Sequence, residues 1–254
     1  MNKSIYFKTL GKGQPLILLH GWGWNSEIWE PLLPSLSQYF QLVLIDLPGF
    51  GQSHLGLKEY SLPEIARLLM AIAPAKAYWL GWSLGGTVAW WIAINYPEKV
   101  EKLITVAASP RFTQDVEWPG VADNVLQKFA ESLTHNYEKT ISDFLELQLR
   151  GSPQREILFR TLQKKLLSHP PAYEALQGGL TLLQHTDLRA QLSAVQCPSL
   201  HLFGDLDRLV PVKVASLMQG LEKQGKCEVI QKSGHLPFLS QPEIFTEYLI
   251  QFLA

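Results

Sequence analysis

Five residues constrain this chain more than any others. Gly81-Trp82-Ser83-Leu84-Gly85 is a G-x-S-x-G run set directly after the apolar stretch Ala77-Tyr78-Trp79-Leu80 and before a helical pattern at residues 86–95. A serine on a sharp strand-to-helix turn makes the backbone pass close to itself. Only residues without a side chain fit on either side, which is what Gly81 and Gly85 supply. The following helix directs its N-terminal N–H groups at negative charge developing beside the serine. The pattern is that of a nucleophile presented at the carboxyl end of a strand.

The rest of the chain fits that placement. Short runs rich in Val, Ile, Leu and aromatics at residues 4–9, 15–19, 42–46, 76–80, 103–107, 199–203 and 227–231 read as strands, most followed by a helical pattern. Several are apolar on both faces, as buried parallel strands are. Gly11-Lys12-Gly13 reads as a hairpin turn, which would set the first strand antiparallel at the start of the sheet. From residue 111 to 189 the rhythm turns helical, with Leu158, Leu162 and Leu166 on one stripe. The expectation is an α/β core of residues 1–110 and 190–254 with an all-helical cap, residues 111–189, over the carboxyl ends of the strands.

Composition excludes several alternatives. With 22 Lys+Arg against 23 Asp+Glu the net charge is −1, which gives no basic footprint for nucleic acid. An apolar content of 46% is ample for a core and incompatible with a mainly disordered chain. Cys197 and Cys227 are too few for a disulfide framework, and no His, Cys and carboxylate cluster has metal-ligand spacing, so chemistry without a metal or cofactor is expected. The N-terminal residues lack the apolar stretch of a signal peptide, and the most apolar window, residues 80–94, is too short to span a bilayer. A cytoplasmic protein without membrane contact is expected.

A serine hydroxyl is a weak nucleophile without a base. Among seven histidines, His235 in Ser233-Gly234-His235-Leu236-Pro237-Phe238 follows the last strand run and faces the same side as Ser83. His54, His135, His169, His185 and His201 read as surface or core histidines, and His20 as a loop brace. A carboxylate must orient the imidazole. Gly204-Asp205-Leu206-Asp207 offers two; Asp207 has the better reach over the sheet, with Asp205 the second candidate. The backbone N–H of Leu84, and that of Trp22 in His20-Gly21-Trp22-Gly23, are the expected oxyanion donors. Trp22 and Trp82 flank these atoms and suggest an apolar substrate slot. Asp46-Leu47-Pro48-Gly49-Phe50-Gly51 reads as a tight structural turn.

Together these motifs resemble the α/β-hydrolase superfamily over essentially the whole chain. Leu19-His20-Gly21-Trp22-Gly23, Trp79-Leu80-Gly81-Trp82-Ser83-Leu84-Gly85-Gly86, Thr105-Val106-Ala107-Ala108-Ser109-Pro110, Glu117-Trp118-Pro119-Gly120, Phe144-Leu145-Glu146-Leu147-Gln148 and Gly178-Gly179-Leu180 are similar to its biotin-pathway methyl ester carboxylesterases. That resemblance implies hydrolysis of the methyl ester on pimeloyl-acyl carrier protein; a monomer is expected. It implies Ser83, Asp207 and His235 as catalytic groups, and Trp22, Ser83, Leu84, Phe144, Leu145, Glu146, Leu147, Gln148 and His235 as substrate contacts. Carrier proteins are acidic, and Lys139, Arg150, Arg155, Arg160 and Lys164 are the implied docking residues. Asp143 departs from the family, which has a basic residue there. Another capped hydrolase, such as a lactonase or a carbon–carbon bond hydrolase, shares this fold, and a hydrolase-fold ligand receptor is the alternative of another class. Ser83 argues against the branches of the fold that use Asp as nucleophile.

Overall fold

The computed structural model describes residues 5–54, 57 and 59–254. Among these residues seven strands form one sheet: β1 (Phe7–Leu10), β2 (Pro15–Leu19), β3 (Gln41–Ile45), β4 (Ala77–Trp82), β5 (Val100–Val106), β6 (Ser199–Gly204) and β7 (Gly225–Ile230). Their spatial order is β1-β3-β2-β4-β5-β6-β7, all neighbours parallel except β1 against β3. The strand runs read from sequence reappear with ends shifted by at most three residues, the run at 15–19 unchanged, and residue 4 of the first run lies outside the described residues.

The hairpin expected at Gly11-Lys12-Gly13 does not form. β1 is antiparallel, but it pairs with β3 through Phe7↔Ile45 and Leu10↔Leu42, and not with β2. Both edges of β2 are already occupied, by β3 and β4, and β2 is buried along nearly its whole length. β1 is exposed along its length and suits an outer edge. Gly11, at φ +80°, turns the chain across the end of the helical segment before β3; a Cβ there would lie 2.4 Å from Phe40 O.

Among the described residues, ten α-helices accompany the sheet: α1 (Leu33–Leu36), α2 (Leu62–Met70), α3 (Leu84–Asn95), α4 (Asp123–His135), α5 (Tyr137–Gln148), α6 (Arg155–Ser168), α7 (Tyr173–His185), α8 (Lys213–Leu217), α9 (Pro237–Ser240) and α10 (Pro242–Leu253). α3 is apolar on nearly every side and is buried against the sheet, as such a helix must be. α4 to α7 follow one another between β5 and β6. None of the described helices is long and apolar enough to cross a membrane. Because β2 to β7 are parallel, the loops after them gather at one edge of the sheet. Successive connections diverge there between β2 and β4, and Leu19 pairs with Gly81 at that point, the crevice where open α/β sheets bind ligands.

The chain leaves the sheet for the helices α4 to α7, and returns to it, through two backbone segments tied together. Arg111 and Asp187 form an isolated antiparallel bridge, and Leu188 N–H donates to Pro110 O. Arg111 Nη1 lies 3.1 Å and Arg189 Nη2 2.7 Å from Asp187 Oδ2. Trp118 of the Trp-Pro-Gly run donates from Nε1 to Arg111 O and Ser109 Oγ, with the Arg189 guanidinium 5.2 Å above its ring.

Hydrogen bonds from Arg189, assisted by those from Arg111 and opposed by partial burial, hold the Asp187 carboxyl down at about 2 from an ordinary 3.8. A folded-state value below the unfolded one adds stability above the unfolded value and loses it as the pH falls through the folded one. The side chain is a third exposed, so screening leaves about 1 kcal/mol of this. Asp187→Asn is expected to lower the thermal midpoint at neutral pH by roughly 2–4 °C. In denaturant titrations the gap to the wild type should close between about pH 4 and pH 2; a gap constant over that range would rule out the carboxylate as its source.

Candidate active site

Ser83 caps the N-terminus of α3 with φ +53° and ψ −117°, a backbone conformation costly for any residue bearing a Cβ. Its surroundings enforce it. Ser83 N–H donates to Val106 O at 2.9 Å, and its own carbonyl accepts from Gly86 and Thr87. A Cβ on Gly81 would lie 2.2 Å from Gly85 O, and one on Gly85 2.5 Å from Leu19 O. These atoms are backbone and have nowhere to go, so the two glycines are what allow the turn to close.

The loops after β6 and β7 bring the remaining groups to the serine. His235 Nε2 lies 3.1 Å from Ser83 Oγ, and His235 Nδ1 2.8 Å from Asp207 Oδ2. Asp207 Oδ1 accepts from Leu209 N–H at 2.8 Å and Val210 N–H at 3.1 Å, which fixes the carboxylate plane. An ionised Asp207 can only accept, so the network assigns the imidazole proton to Nδ1 and leaves Nε2 as acceptor for the serine hydroxyl. All three side chains are buried. Asp205, the other carboxylate considered, points elsewhere: its Oδ1 accepts from Ser233 N–H at 2.9 Å and braces the loop that carries His235.

The remaining histidine readings can be placed as well. His20 is buried between Gly21 O and Leu47 N–H, with burial pressing its pKa below the ordinary value and Asp46 acting against that. His201 lies inside β6, with Nδ1 2.8 Å from Thr105 Oγ1 and Nε2 3.2 Å from Glu222 Oε2. Neither touches Ser83. The turn at residues 46–53 is closed by Gly49 N–H to Ser53 O and by Asp46, whose carboxylate accepts from Ser26 and Gln52. The sequence shows the turn but not the tie made by the Asp46 carboxylate, because its partners are backbone groups of two different loops.

Leu84 is the first residue of α3, and Trp22 lies in the loop after β2, beside the serine turn. Trp22 is anchored by Nε1 to Leu176 O of α7 at 2.9 Å, where Gly179 leaves room for its ring. It stands edge-on to Phe144 and Phe129, with ring centroids 5.4 and 5.3 Å away. These three line an apolar chamber completed by Phe112, Val121, Val125, Leu126, Leu147, Leu180, Leu183 and Leu209, with no polar side chain in its wall.

Residues 144–148 therefore divide by helical periodicity. Phe144 and Leu147, three apart on α5, face the chamber. Leu145 is packed inside, Glu146 points outward to Arg155 at 2.9 Å, and Gln148 is buried and bonded to Trp24, so these three side chains are not part of its wall. Of the basic residues, Lys139 is paired with Asp143 at 2.5 Å and Arg155 with Glu146. Arg150, Arg160 and Lys164 are exposed, with no ion pair among the described residues. No group of three or more His, Cys, Asp or Glu among the described residues is placed to hold a metal ion.

Known proteins share this arrangement. A sequence-family model described as the alpha/beta hydrolase fold matches residues 14–242. A pimeloyl-acyl carrier protein methyl ester esterase of Pectobacterium carotovorum is 43% identical over 98% of each chain. That of Photobacterium profundum is 42% identical over the full length of both. The solved structure of an esterase from Exiguobacterium antarcticum superposes with a TM-score of 0.87 at 26% identity, covering 98% of this chain and 94% of the other. By the serine turn, the sheet order and these likenesses, the chain belongs to the α/β hydrolase family.

Proposed function

We propose that the protein is a serine carboxylesterase that hydrolyses the methyl ester of pimeloyl-acyl carrier protein, releasing methanol and giving the free carboxylate needed for biotin synthesis. The observation that carries the chemistry is the hydrogen-bonded chain Ser83–His235–Asp207 next to an apolar chamber. The substrate is inferred from the full-length relatives named for it.

In this reading Ser83 Oγ attacks the ester carbonyl while His235 Nε2 takes its proton. The N–H groups of Leu84 and Trp22 receive the oxyanion, and Asp207 stabilises the imidazolium. Collapse expels methoxide, which leaves as methanol with the proton from His235. Water then repeats the sequence on the acyl-enzyme, releasing the carboxylic acid and restoring Ser83. The aliphatic chain of the acyl group lies in the chamber against Trp22, Phe144 and Leu147, where it replaces water. Residues 111–189 act as a cap over a core of residues 1–110 and 190–254, and the enzyme works as a cytoplasmic monomer without cofactor.

The acidic carrier docks by charge on the cap. Lys139 and Arg155 are already neutralised by Asp143 and Glu146, so Arg150, Arg160 and Lys164 supply the attraction. Arg160 and Lys164 stand one turn apart on α6.

Methanol release from the carrier-bound ester is expected to fall on the order of 10⁶-fold in kcat for Ser83→Ala. Asp207→Asn should cost about 10⁴-fold by losing the tautomer that leaves Nε2 free. Asp205→Asn, whose amide oxygen still accepts from Ser233, should keep most of the activity; the reverse ranking would move the orienting role to Asp205. Reversing charge with Arg160→Glu and Lys164→Glu is expected to raise KM for the carrier-bound ester at low salt and not for a short ester, the difference fading near about 0.5 M salt. An unchanged KM would remove this face from docking.

A further inference from the structure

We infer that Gln148 is a positioning residue for His235, joining the loop of the proposed oxyanion donor to the loop of the base from the end of α5. Gln148 is the last residue of α5 and is buried. The final carbonyls of a helix have no intrahelical partner. Here the carbonyl of Gln148 accepts His235 N–H at 3.2 Å. Its side-chain Oε1 accepts Trp24 Nε1 at 3.1 Å. Trp24 belongs to the loop after β2, where its N–H closes a turn onto Gly21 O around Trp22. One residue thus touches both loops that flank Ser83.

The second hold on His235 comes from the core. Trp82 Nε1 donates to His235 O at 2.8 Å, and the indole lies beside the imidazole at 5.7 Å and beside Trp24 at 6.1 Å. His235 is therefore gripped at its N–H by α5 and at its carbonyl by β4. The fit is close: a Cβ on Gly234 would lie 2.5 Å from Arg150 O and 3.0 Å from Gln148 O. A base must sit within a few tenths of an ångström of its working position. Gln148 and Trp24 are bound in series, so loss of either should release the same constraint.

This inference rests on His235 being the base, and the test separates the two. Steady-state hydrolysis of p-nitrophenyl butyrate is measured for the wild type, Ser83→Ala, Gln148→Leu, Gln148→Glu, Trp24→Phe and the double variant Gln148→Leu with Trp24→Phe. Gln148→Leu and Trp24→Phe are each expected to lower kcat about tenfold with KM changed less than about twofold. The double variant should be no slower than the slower single one, and Gln148→Glu, which keeps an acceptor oxygen, should recover most of kcat. Unchanged kcat, or single losses that multiply, with Ser83→Ala inactive, overturns the positioning role alone. A Ser83→Ala variant as active as the wild type overturns the base assignment and this inference with it. If Gln148→Leu fails to fold, Trp24→Phe, which keeps an aromatic ring beside Trp82 and removes the Nε1 donor, decides by the same kcat criterion.

Discussion

Everything at this site depends on one strained residue. Ser83 occupies a left-handed backbone conformation that a residue with a Cβ ordinarily avoids, and it is kept there by hydrogen bonds to β5 and the first turn of α3. The strain is offset by burial on all sides: β4 and α3 are both deep in the core, and neither can shift to relax the turn. Its effect is to lift the hydroxyl out of the sheet and place it at the N-terminal end of α3. Loops after β6 and β7 then bring Asp207 and His235 into hydrogen-bond reach of it.

The supports around that residue come from different elements. Asp205 fixes the start of the histidine loop, Asp46 ties the loops at residues 26 and 52, and Trp82 and Gln148 hold the backbone of His235 from opposite sides. On the far side of Trp22, Gly178 and Gly179 let α7 approach within contact of Tyr60 and Trp22. Trp118, Arg189 and Asp187 join the outgoing and returning backbone of the helical segment. The Trp-Pro-Gly run, distinctive in the sequence, thus serves the joint between the sheet and these helices and lies outside the chamber wall.

How much of this is legible in the sequence follows from how local each signal is. Ser83 can be read because its glycines are adjacent in the chain, and the loops of Asp207 and His235 because each ends a recognisable strand. The pairing of β1 could not be read: a glycine turn between two strand runs looks like a hairpin, and only the burial of β2 on both edges excludes it. Residues 144–148 form a continuous motif, yet a helix turns them to different surroundings, so the motif gives the segment and not the contacts. Gln148 to Trp24 and Asp46 to Ser26 are bonds between distant segments, with no periodicity or spacing to mark them.

In the proposed mechanism Ser83, activated through His235, carries the acyl group. Its most direct test is covalent trapping with a p-nitrophenyl alkylphosphonate ester, followed by peptide mass mapping of the wild type and of His235→Gln. The expected result is one phosphonyl group per chain on the peptide containing Ser83, loss of esterase activity in step with labelling, and far slower labelling in the variant. A label on another residue, or full esterase activity after Ser83 is blocked, would contradict it.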